Sequence, residues 1–201
     1  MNSQLSNQLG FGQSANNLPY QFPIHPNLVH FTLGLFIIAI IFDIAGTFFP
    51  LERPILKLFG IPSLRSGFYT VGWYNLVACA IATVFTVAAG FFEMMLANPP
   101  ATMKSDWGLD PGLTMILHGV GGILLLGIII AMTVWRGLQR YHWRKDRVRQ
   151  VQWSYLLAGI VMFGILYVHG TLGGQMGSEF GVHVTAAELL RQGKNPNLLL
   201  D

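Results

Sequence analysis

Four runs of mostly apolar residues recur along the chain, at about 28–49, 72–96, 112–136 and 152–170. A hydrocarbon core of about 30 Å is crossed by about 20 helical residues, so each run has the length of one membrane span. Lipid offers backbone groups no water to pair with, so each run must satisfy its own N–H and C=O groups as a helix. The short connections make successive helices antiparallel neighbours. The predicted fold is therefore all-α, an integral membrane antiparallel four-helix bundle. Composition agrees. Only 10% of the 201 residues are charged and 52% are hydrophobic, whereas a soluble domain carries about 25% charged residues. Mean hydropathy is +0.49.

Local signals mark the ends. Pro26 reads as the first residue of helix one, with His25 just outside it in extended chain. Asn98-Pro99-Pro100 stops helix two, and Asp110 before Pro111 reads as the N-cap of helix three. The stretch from Glu52 to Phe59 is amphipathic and suits the membrane interface. Residues 1–21 read as a polar, flexible tail, 22–183 as the membrane domain and 184–201 as a short amphipathic tail. In that last tail, Thr185 to Glu188 has capping-box spacing and Gly193 would close the helix. No signal peptide is expected, for want of a charged n-region and a small-residue cleavage site. The lone Cys79 reads as apolar filler.

Lys and Arg favour cytoplasmic loops. Nine of the twelve cations fall in two connections: Arg53, Lys57 and Arg65 in the first, and Arg136, Arg140, Arg144, Lys145, Arg147 and Arg149 in the third. Lys104, Arg191 and Lys194 occupy the other side. This predicts a bacterial inner or thylakoid membrane protein with both termini outside the cytoplasm. The 136–150 stretch mixes cations with aromatics. Because it joins two spans, it fits a lipid surface or a larger membrane complex, with the terminal tails as further contacts; nucleic acid is not expected.

Each helix carries one ionisable residue near the same, non-cytoplasmic end: His30, Glu93, His118 and His169. All lie within about 10 Å of that boundary. Ionisable groups inside a bilayer are costly and mark functional sites by default. His25 would sit above this ring as a lid or outer partner. Each helix histidine has a glycine four residues on, namely Gly34, Gly122 and Gly173, which leaves bare backbone on its own helix face. Bare backbone admits a neighbouring helix or a flat macrocycle. Asp43 stands in the other half and reads as a structural carboxylate, either neutral or paired with an arginine such as Arg136 or Arg140.

Three chemistries suit this ring. Haem b needs two axial imidazoles and an apolar slot, with His118 opposite His30 or His169 and Glu93 orienting one ligand. One site on one side implies one-sided electron transfer or redox sensing, and chlorophyll would use the same imidazoles. The same three histidines together with Glu93 would alternatively hold a transition metal such as zinc, iron or copper. The third reading is a cofactor-free accessory or assembly subunit of a respiratory or photosynthetic complex. No CxxCH, HExxH, Glu-x-x-His or GxSxG is present, so c-type haem and hydrolase chemistry have no support, and no catalytic residues are assigned.

HPNLVHF at 25–31 and HGTLGGQMG at 169–177 carry a resemblance. Over about residues 22–183 the chain resembles the bacterial membrane-protein family named domain of unknown function 2231. The resemblance implies a four-helix membrane domain and brings no particular activity with it.

Overall fold

The computed structural model describes residues 24–60, 65–96 and 104–180, together with Gly193. The expected polar tail at 1–21 and the tail helix from Thr185 lie outside the described residues.

The fold is all-α. Helix α1 spans Ile24–Thr47, α2 Phe49–Leu58, α3 Arg65–Leu96, α4 Pro111–Leu138 and α5 Trp153–Ser178. All but α2 are long and apolar enough to cross a membrane, and no strand occurs among the described residues. The spanning helices outrun the expected limits. Helix α3 begins at Arg65 rather than about 72, and α5 continues to Ser178 rather than about 170. The physical reason is that hydropathy marks only the hydrocarbon-embedded part. A helix persists beyond it wherever i→i−4 pairing continues, and the 32 residues of α3 reach about 48 Å.

The ends follow elementary capping rules. Pro50 sits in the first turn of α2, where its missing N–H is not needed. Helix α2 leaves Ile55, Leu58 and Phe59 exposed, as an interfacial helix does. Gly60 then takes a left-handed φ of 65°, and its N–H reaches back to the Lys57 carbonyl. Asp110 Oδ1 accepts the Leu113 N–H at 2.8 Å, which makes it the N-cap of α4. Helix α4 passes into one π turn, Gln139–Trp143, closed by the Arg144 N–H on the Gln139 carbonyl.

The chain divides into two compact units. The central unit comprises Leu28–Thr86 and Leu124–Leu166. The terminal unit comprises the chain through Asn27, Val87–Ile123 and the chain from Tyr167 onward.

In the central unit, Phe36, Ile40, Leu76, Ile129 and Met162 form part of a shared buried core. Lipid is as apolar as leucine, so close packing and polar contacts must hold such helices together. The Thr32 and Thr86 hydroxyls meet at 2.9 Å. Arg65 donates to the Gly46 and Thr47 carbonyls, which the end of α1 leaves unpaired. Arg136 holds Asp43 with two bonds of 2.9 Å, and both side chains have zero exposure. Arg136 also donates to the Tyr69 carbonyl at 3.3 Å. Gly72 makes room for this pair, since a Cβ there would lie 2.8 Å from Asp43 Oδ1 and 3.0 Å from the Ala39 carbonyl. The pairing expected for Asp43 is thus made, with Arg136.

Candidate functional site

The terminal unit gathers His25 from α1, Glu93 from α3, His118 from α4 and His169 from α5. The assembly begins with the start of α1. Helix N-termini leave their first N–H groups without partners inside the helix. Pro26 lacks an N–H, so it fits the first turn, and Ile24 and His25 precede it within the helix. The His25 N–H donates to Glu93 Oε1 at 3.0 Å. A carboxylate at a helix N-terminus is favoured by both the free N–H groups and the helix dipole. His25 is thereby helical, contrary to the expectation of extended chain before Pro26.

Once His25 is in the helix, its ring meets the other histidines. The His25 and His118 rings stand edge to face, with centroids 5.9 Å apart and planes at 87°. His118 and His169 stack in parallel, 4.2 Å between centroids and 7° between planes. His118 Nδ1 is buried with no hydrogen-bond partner among the described residues. Three imidazoles from three helices therefore form one contiguous group.

Glycines of neighbouring helices shape it. A Cβ on Gly90 of α3 would lie 2.7 Å from the His25 ring. One on Gly121 of α4 would lie 2.7 Å from His169 Nδ1, and one on Gly173 of α5 would lie 2.9 Å from His118 Cε1. At Gly122 the nearest histidine atom would be 4.0 Å away, ordinary contact. Of the glycines four residues after a histidine, Gly173 thus serves the histidine of another helix, while the close approach to His169 comes from Gly121 instead of Gly122. His118 packs on Gly173 of α5, and His169 packs on Gly121 of α4.

His30 has a different place. It belongs to the central unit and is exposed on α1. Residues five apart on a helix point about 140° apart, so one helix cannot present both His25 and His30 to the same neighbour. Gly34, also in the central unit, has nothing near its Cβ position. His25, Glu93, His118 and His169 belong to the terminal unit, whereas His30 and Gly34 belong to the central unit. Sequence reasoning missed the closeness of Gly90 and Gly121. Nothing within α1 itself signals the place of His25, whose N–H is answered by Glu93 on α3.

The packing bears on what this group can hold. An imidazole lone pair lies in its ring plane. Two parallel rings 4.2 Å apart cannot both aim a nitrogen at one ion, because each bond is about 2.0–2.1 Å. Among the described residues, no three His, Cys, Asp or Glu groups converge on a metal position. A macrocycle also finds no slot between His118 and His169 as they are stacked. The side-chain-free surfaces at Gly90, Gly121 and Gly173 are filled by imidazoles.

Comparison with protein families matches residues 21–186 to one described as "Predicted membrane protein (DUF2231)", and the chain belongs to this family. No curated protein and no solved structure matches it.

Proposed function

We propose that the terminal unit is a histidine-ligated metal centre in a membrane protein, with His118 as its central ligand and His25 and His169 beside it. The observation that carries this reading is the ring contact of three histidines drawn from α1, α4 and α5. Ionisable groups inside a membrane are costly and by default mark a functional site. Imidazole donors suit zinc, copper and iron.

His169 joins by turning out of its stack. Because His25 and His118 stand edge to face, a bare ion asks for side-chain rotations there as well, and for nothing more. A tetrapyrrole asks the rings to part over its whole width, so the packing favours the ion over haem b or chlorophyll. Glu93 serves as a positioning residue, fixing the start of α1 and with it His25. With the basic connections on the cytoplasmic side, the centre would face the other compartment. Iron or copper there would exchange electrons with a partner on that side only. In the central unit the buried carboxylate Asp43 is held by Arg136 and so is not available as a ligand.

Gently purified protein tests this by elemental analysis and an absorption spectrum. Stoichiometric copper, iron or zinc is expected, lost in His118→Ala. A Soret band would put a tetrapyrrole in place of the ion. Absence of both metal and Soret band refutes the centre and leaves a cofactor-free accessory subunit, for which co-purifying membrane proteins would be the sign.

A further inference from the structure

The connection between α4 and α5 lies wholly in the central unit and is folded rather than slack. Five cations occupy residues 140–149, with Asp146 as the one acid among them. Three of the five are engaged by the protein itself. Arg140 donates to the Tyr69 carbonyl, to Gln150 Oε1 and to Thr70 Oγ1 at 3.2–3.5 Å. Arg144 Nε donates to the Arg149 carbonyl at 2.9 Å. The Arg149 guanidinium lies over the Trp153 ring, 5.2 Å from its centroid. Gln139 Oε1 completes the loop by accepting the Gln152 N–H at 2.7 Å.

Lys145 and Arg147 are different. Both are exposed, and neither side chain makes a hydrogen bond or ion pair among the described residues. Around them, Tyr141, Trp143, Trp153 and Val148 are also exposed, Val148 at 77%. Uncommitted cations beside exposed rings and an aliphatic side chain, directly continuous with a span, match the boundary between headgroups and acyl chains. An acidic protein surface would answer the charges but not the apolar rim.

We infer that this loop is an anionic-phospholipid site in which Lys145 and Arg147 hold the headgroup phosphate, while Arg140, Arg144 and Arg149 build the loop that presents them. The inference does not depend on the metal centre. A cation near an anionic surface contributes about 1 kcal/mol, which is about five-fold in affinity and about thirty-fold for the pair.

The test uses the full chain in detergent micelles and counts retained lipid by native mass spectrometry. The probes are phosphatidylglycerol and phosphatidylcholine with the same acyl chains. The wild type should retain phosphatidylglycerol in preference. Lys145→Gln/Arg147→Gln should lose about thirty-fold of that preference with an unchanged unfolding midpoint. Lys145→Arg should keep it. No preference in the wild type, or an undiminished preference in the double variant, overturns the inference. Binding of polyglutamate without phosphatidylglycerol preference overturns it in favour of an acidic protein partner.

Discussion

Replacing Asp43 with alanine removes two acceptors from a guanidinium that has no exposure. Arg136 would keep the Tyr69 carbonyl at 3.3 Å. Its Nη1 already lacks a partner among the described residues. Of the five N–H groups of an arginine, four would then be unanswered inside a membrane helix bundle. One-sided removal from a buried pair costs about 3–5 kcal/mol. Helices unfolded within lipid find substitute partners, which places the expected loss toward the lower end, about 3 kcal/mol. Asp43→Leu with Arg136→Met should behave differently. Both charges go together, so stability should stay near the wild type or rise by about 1–4 kcal/mol. Reversible unfolding in mixed detergent and dodecyl sulfate micelles, followed by circular dichroism, measures both. The reasoning is refuted if Asp43→Ala lies within about 0.5 kcal/mol of wild type, the range of surface changes. It is equally refuted if the double variant loses the sum of the single losses, which would mean the two residues do not answer each other.

Glycine substitutions should divide by what their Cβ would meet. Gly121→Ala and Gly173→Ala press on His169 and His118 at 2.7 and 2.9 Å, and each should lower stability by about 1–3 kcal/mol in the same unfolding assay. Gly170→Ala and Gly174→Ala meet open space and should be neutral or slightly stabilising. Asp110→Ala removes the N-cap bond to Leu113 and should cost about 1 kcal/mol by thermal melting. Single cysteines at Val148 and Trp107 should label from opposite sides of the membrane, since α4 spans it, with Val148 reached from the cytoplasm. Labelling of both from one side would remove the span. Buried Cys79 should stay unlabelled in either experiment.

Much of this was legible in the residues. The spans were visible because a lipid solvent dictates both their length and their helicity. The Asp110 cap was visible because capping is local chemistry. The Asp43–Arg136 pair could be anticipated because a carboxylate buried in lipid needs a cation, and few lay at its depth. Helix ends were harder to place, because hydropathy follows the hydrocarbon while the backbone ladder does not stop at its edge. The choice of His25 over His30 rests on Glu93, a residue sixty-eight positions away that caps α1. That contact lets the helix start before Pro26, and no periodicity within α1 encodes it.

The histidine–glycine spacing shows how a local pattern acquires its meaning from packing. A glycine four residues after a histidine lies on the same helix face, so it reads as space reserved for that histidine or its ligand. In an antiparallel pair, however, the face bearing the histidine of one helix is the face on which the other helix rests. Each imidazole then needs bare backbone on its neighbour. His118 takes that space at Gly173, four after His169, and His169 takes it at Gly121, three after His118. The reciprocity follows from antiparallel packing in register and brings the two rings within 4.2 Å. An alanine at either glycine would raise the helix propensity and keep the apolar character. It would still part the rings, so the pattern is a condition on the pair of helices and not on either one alone.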